Sequence, residues 1–140
     1  MRVAKEEYFL GIAELVAERG TCTRRKVGCV LVNDENHIVA TGYNGVPRNF
    51  PHCIETPCEG AAFPPGEGLD KCLAIHAELN ALLQLNEKGP LTMYTTDTPC
   101  NECAKVIANS HIERIVAKRK YAQDTLSFLE RVGIKVEIKC

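Results

Sequence analysis

The triplet His76-Ala77-Glu78 and the run Pro99-Cys100-Asn101-Glu102-Cys103 each stand at a predicted helix start, and this pairing restricts the fold more than any other feature. On a helix, residues three apart share a face, so Cys100 and Cys103 can direct both sulfurs at one ion. His76 completes three protein ligands and leaves a fourth position for water. The first turn also suits the cysteines chemically, because the positive helix end and a metal both favour thiolate over thiol. Pro99 fits there too, since its missing N–H would have had no helical partner.

Around these motifs the chain alternates between helical and strand patterns. Tyr8, Ile12, Leu15 and Val16 form an apolar helical stripe that Gly20 can close as a C-terminal cap. Apolar runs at Val27 to Val32 and Ile38 to Thr41 flank Asn33, Asp34, Glu35 and Asn36, which is hairpin composition. From Asn44 to Leu69 no periodicity holds, and loops of that length tend to be functional or disordered. Leu79, Leu82, Leu83 and Asn86 then mark a helix ended by Gly89-Pro90, and a strand at Leu91 to Thr96 leads to Pro99. A helix from Cys100 to about Asn109, a strand at Ile112 to Ala117, a helix through Leu126, Leu129 and Glu130 stopped by Gly133, and a strand at Ile134 to Ile138 complete the order. That order, αββαβαβαβ, predicts a mixed, mainly parallel five-stranded sheet with helices on both faces, folded as one domain over residues 1–140.

Charge and cysteine content narrow the function. Lysine and arginine number 17 against 18 acidic residues, so the broad positive field that polymeric nucleic acid demands is missing. A small, locally captured substrate fits better. The sequence has no signal-peptide-like start and no apolar run approaching the roughly 20 residues that span a bilayer, which predicts a cytoplasmic protein without a membrane partner. Its eight cysteines are then expected to be reduced, and metal binding or catalysis suits them better than a disulfide framework.

Glu78, two residues past His76, does not face the same way on a helix, so it can approach metal-bound water without being a ligand. Zinc lowers the pKa of such water toward about 7, so that Glu78 can accept its proton and later protonate a substrate's ring nitrogen and departing amine. H-x-E with P-C-x-x-C is the signature of zinc deaminases. A structural zinc knuckle, with Glu78 only solvating the helix terminus, would ordinarily need four protein ligands.

The chain closely resembles the deoxycytidylate deaminase family, phage members included, from Thr21 to about Tyr121. The resemblance is carried by residues 21–28 (TCTRRKVG), 41–47 (TGYNGVP), His52-Cys53, 76–81 (HAELNA) and 99–103 (PCNEC). It implies the three-layer α/β/α cytidine deaminase-like fold and hydrolysis of dCMP to dUMP and ammonia by a zinc-bound hydroxide, supplying dUMP for thymidylate synthesis. Control by dCTP and dTTP, with Mg2+ accompanying the triphosphate, and a homohexamer are implied as well. For a phage-encoded member the compartment implied is the host cytoplasm. The same resemblance places Asn44 on the substrate's sugar or base, and Arg25, Lys26 and Tyr121 near nucleotide or effector.

The residues themselves leave alternatives at these positions. Asn44-Gly45 is also a common turn pair whose amide can serve the backbone. Arg24-Arg25-Lys26 suits phosphate, and a short charge run also suits a solvated surface. Tyr121 can border the pocket or pack in the core. Some phage members carry a second, structural zinc near positions matching Cys22 and Cys53. Here Cys58 and Cys72 can complete four sulfur ligands, with His52 as a substitute, or all can be thiols without metal. Cys29, on an apolar strand, reads as a small core residue. Two further functions stand beside dCMP deamination: deamination of dCTP or cytidine, and non-catalytic nucleotide sensing by a zinc-stabilised fold.

Overall fold

The structure, a computed structural model, describes residues 1–22, 25–57, 59–64, 67 and 73–139. Its elements follow the expected order: α1 (Lys5–Ala17), β1 (Gly28–Asn33), β2 (Ile38–Tyr43), α2 (Ala77–Leu83), β3 (Leu91–Asp97), α3 (Asn101–Ala108), β4 (Ile112–Arg119), α4 (Leu126–Arg131) and β5 (Lys135–Ile138). A short 3-10 turn at Glu59–Ala62 interrupts the long loop before α2. No helix among the described residues is long and apolar enough to cross a membrane.

The five strands lie in the order β2-β1-β3-β4-β5. Strand β1 runs antiparallel to both neighbours, while β3, β4 and β5 are parallel. The sheet is mixed, as expected, with two antiparallel and two parallel pairings; β1 alone runs against the other four strands. Gly-Cys-Val-Leu-Val of β1 is buried throughout, since both faces of this strand are covered. Its residues alternate between two cores. Cys29 and Leu31 join Met93 and Ile115 beneath Ala77 and Ala81 of α2, Ile107 of α3 and Leu129 of α4. Val30 and Val32 join Tyr94 and Val116 beneath Phe9, Leu10 and Ala13 of α1. The three layers are therefore α1, the sheet, and α2 with α3 and α4.

Three local expectations are corrected. The buried face of α1 is Phe9, Leu10, Ala13 and Ala17, whereas Tyr8 and Leu15 are 51% and 65% exposed. The cause is close approach: a Cβ on Gly28 would collide with the Ala13 carbonyl and lie 2.6 Å from the Ala17 nitrogen, so α1 meets β1 through alanines. Gly20 is not a left-handed cap, because α1 ends at Ala17 with Glu18 in a helical conformation. What requires glycine at position 20 is Asn44, whose Oδ1 would stand 2.8 Å from an added Cβ. Helix α2 stops at Leu83, well before Gly89-Pro90. Asn86, Glu87 and Lys88 are exposed, and a longer helix would have no apolar face there to bury.

Candidate metal centre and active site

Helix α2 runs antiparallel to β3, so its start lies at the end of β3 from which α3 departs. His76 and Cys100 are the N-cap residues of α2 and α3, both with extended backbone. Several bonds fix the α2 start. Gly45 and Ile75 exchange backbone hydrogen bonds of 3.1 and 2.8 Å. Asn80 Nδ2 donates to the Tyr43 carbonyl at 2.9 Å and the Ile75 carbonyl at 3.3 Å. A Cβ on Gly42 would collide with Ala77 and Ala81, so the first turn of α2 lies directly on the β2 backbone. The α3 start is held from the segment after β4: Thr125 Oγ1 donates to the Pro99 carbonyl at 2.9 Å, and the Asn101 N–H donates to Gln123 Oε1 at 2.8 Å.

These two helix starts bring His76, Cys100 and Cys103 together, with ligand atoms within 4.8 Å of one another. His76 Nδ1 is 3.3 Å from each sulfur. Four-coordinate zinc with ordinary Zn–N and Zn–S bonds requires an N···S edge of about 3.6 Å. The donor set therefore fits zinc after a small relaxation. A hydrogen bond from Cys103, opposed by burial and assisted by His76, brings the Cys100 pKa down to about 4. The same hydrogen bond, with burial, drives the Cys103 pKa far up, and the contact with Cys100 raises that of His76. The pair therefore favours a shared single negative charge, and metal binding would displace the remaining thiol proton.

Glu78 is 4% exposed and stands within electrostatic range of the cluster. Burial raises its pKa, with opposing pulls from its backbone hydrogen bond, His76 and Arg25. A cavity of about 460 Å³ opens over His76, Leu79, Cys100 and Gln123. Cys29 is buried behind the site, as expected of a core residue.

The other candidate positions divide. Asn44 is buried; its Oδ1 accepts from the Val27 N–H at 2.8 Å and its Nδ2 donates to the Arg25 carbonyl at 2.7 Å. Its amide therefore serves the backbone, with one Nδ2 hydrogen beyond these bonds. Arg25 is part-buried over the Tyr121 ring, 3.9 Å from its centroid, whereas Lys26 is exposed. Cys22 and Cys53 are both buried, on segments joined by the hydrogen bond from Ile54 N–H to the Thr21 carbonyl. His52 is exposed. Cys58 and Cys72 lie outside the described residues, as does Arg24. Sequence reasoning read Gly20 as a cap and not as the contact of Asn44, and it gave no role to Gln123 or to the contact of Gly42 with α2, since each depends on a partner distant along the chain.

Comparison with known proteins agrees with this geometry. Residues 3–119 match the family described as the cytidine and deoxycytidylate deaminase zinc-binding region. Deoxycytidylate deaminase of Mycobacterium phage D29 is 42% identical over 118 residues, covering 79% of this chain and 91% of that one. The deoxycytidylate deaminase of Saccharomyces cerevisiae is 37% identical over 141 residues, covering 97% of this chain, which spans only 45% of that longer protein. The dCMP deaminase of cyanophage S-TIM5, solved in complex with dCMP and dUMP, superposes with a TM-score of 0.79 at 28% identity over 99% of both chains. With three ligands converging, a carboxylate beside them and this likeness along nearly its whole length, the chain belongs to the deoxycytidylate deaminase family.

Proposed function

We propose that this chain, working as one domain, hydrolyses dCMP to dUMP and ammonia and so supplies dUMP for thymidylate synthesis. The observation that carries this reading is the buried Glu78 beside a cluster of three zinc-type ligands, which leaves a fourth position open. The names of the phage and yeast relatives support dCMP as substrate.

Bound zinc would be held by His76, Cys100 and Cys103, and it supplies the Lewis acidity that makes water a nucleophile near neutral pH. Glu78 takes one proton as water adds to C4 of the base and gives it to the ring nitrogen. It then takes the second from the hydroxyl now on C4 and gives it to the amine, which leaves as ammonia as the C4–N bond breaks. Burial raises the Glu78 pKa and so favours the form that carries the transferred proton. The remaining Nδ2 hydrogen of Asn44 is available to sugar or base, and Arg25 supplies the positive charge for the 5′-phosphate, with exposed Lys26 next to it in the chain and the buried Tyr121 ring against its guanidinium.

A second zinc on Cys22 and Cys53, completed by Cys58 and Cys72, would pin the long loop; burial of the first two supports it. Assembly as a homohexamer belongs to this reading as the family resemblance implies it. We include in this reading regulation by dCTP and dTTP with Mg2+, and a cytoplasmic location.

The test is ammonia release by zinc-loaded protein from dCMP, deoxycytidine and dCTP, with and without added triphosphate. Turnover confined to dCMP is expected, with Glu78→Gln reducing it about 10³-fold while zinc stays bound. Ammonia from none of the three would overturn the assignment and leave another substrate or a sensing role, and unimpaired ammonia release by Glu78→Gln would remove Glu78 from the proton transfer. Metal analysis reading two zinc ions per chain, and sedimentation reading six chains, are the expected results for the other two elements.

A further inference from the structure

Arg25 precedes β1, Asp97 ends β3 and Tyr121 follows β4, yet the three meet at one end of the inner strands, close enough to the candidate metal ligands for Arg25 to act on His76. Arg25 Nη2 stands 3.3 Å from Asp97 Oδ2, and its guanidinium lies 3.9 Å above the centre of the Tyr121 ring. The backbone of the same residue is held by Asn44 Nδ2 at 2.7 Å. Tyr121 is in turn fixed by the 2.8 Å bond from its N–H to Thr98 Oγ1.

As a device for stability this arrangement is poor. A part-buried ion pair must offset the desolvation of two charges, and it does so only when the remaining hydrogen-bonding atoms are satisfied. Among the described residues, Arg25 Nε is buried without an acceptor, and Asp97 Oδ1 accepts no hydrogen bond and has an ionic contact to Arg119 Nη2 at 3.4 Å. The arrangement instead fixes where a cation points. The Arg25 side chain keeps 28% of its surface accessible, and its charge is felt by both His76 and Glu78. A planar guanidinium with one edge on a carboxylate and one face on an aromatic ring retains donors for a phosphate.

We propose that Asp97 and Tyr121 are positioning residues, which hold Arg25 as the fixed cation for the substrate's 5′-phosphate. Asp97 thereby helps set the preference for a nucleotide over a nucleoside. This rests on the reading of Arg25 given under the proposed function.

The experiment is steady-state kinetics with dCMP on zinc-loaded wild type, Arg25→Ala, Asp97→Ala, the double variant, Arg119→Ala, Tyr121→Phe and Tyr121→Leu. Arg25→Ala is expected to raise KM about tenfold or more, with kcat within about threefold. Asp97→Ala raises KM about fivefold alone and adds nothing in the Arg25→Ala background, as expected of residues acting through one another. Tyr121→Leu raises KM and Tyr121→Phe, which keeps the ring face, does not. Arg119→Ala leaves KM unchanged.

KM effects of Arg25→Ala and Asp97→Ala that multiply would overturn the coupling. So would a fall in kcat at constant KM. An unchanged KM in Arg25→Ala, with dCMP still turned over, would remove the arginine from phosphate binding and leave deamination standing. If the wild type is inert toward dCMP, the reaction assignment fails by itself, and calorimetric titration of dCMP into the same variants decides the role of Arg25 by the same pattern of affinities.

Discussion

Helices α1 and α2 reach the β1–β2 hairpin by the same device on opposite faces. α1 lies against Gly28 through Ala13 and Ala17, and α2 lies against Gly42 through Ala77 and Ala81. In each case a Cβ on the glycine would drive into helix backbone. The difference lies in what each helix carries. Ala77 sits between His76 and Glu78, so the close approach at Gly42 also sets the height of the candidate metal ligand and the proposed proton carrier over the sheet. Under α1 the same geometry buries Phe9 against Tyr94, with ring centres 5.0 Å apart, and touches no reactive group. A contact that is only packing on one face is thus part of the proposed catalytic geometry on the other.

Substitutions can break this comparison. Gly42→Ala should have the largest effect: lifting α2 by a fraction of an ångström to 1 Å is expected to lower kcat about 10²-fold and to weaken zinc binding, read by steady-state kinetics and metal competition. Phe9→Ala should cost about 3 kcal/mol of stability by chemical denaturation while leaving kcat within about twofold. Gly28→Ala is expected to cost about 2 kcal/mol from overpacking, again without the loss of kcat seen at Gly42. Equal losses of kcat in the two glycine variants would show that both helices position the site.

The smallest effect is expected at the rim of the α1 face. Arg114 bonds Glu6 Oε1 and Glu137 Oε1, each at 3.2 Å. At Glu6 burial opposes ionisation, but hydrogen bonds from Tyr94 and Arg114 prevail and lower its pKa; at Glu137 the Arg114 hydrogen bond is the main cause of lowering. A carboxylate with a lowered folded-state pKa stabilises the fold above its unfolded pKa, and that stabilisation is lost as pH falls through the folded value. Arg114→Met should therefore cost about 1 kcal/mol near pH 7, given the partial exposure of these groups. The gap in melting temperature from wild type should close as pH falls below the ordinary carboxylate range.

Much of this was legible from local chemistry. His76, Glu78, Cys100 and Cys103 declare themselves by spacing at helix starts, and Gly133, with φ of 90°, ends α4 as its position suggested. Residues whose meaning is set by distant partners did not. Asp97 reads as the polar end of a strand until Arg25 is found beside it, and Gln123 as a loop residue until its carbonyl caps Asn101. The α1 stripe misled for a related reason: Tyr8 and Leu15 are apolar at helical spacing, but the strand beneath α1 admits only alanines at closest approach. Asn44 has backbone partners, the Val27 N–H and the Arg25 carbonyl, that no local pattern marks.

The two helices that carry the metal ligands and Glu78 are only seven and eight residues long. Isolated helices of that length are unstable in water, because the cost of nucleation is not recovered in two turns. Neither helix start can therefore hold its shape before the sheet exists, and the three ligands have no reason to converge in a partly folded chain. High-affinity zinc capture becomes an event at the end of folding, and the rate at which a refolding chain takes up zinc should follow completion of the sheet and not the first collapse.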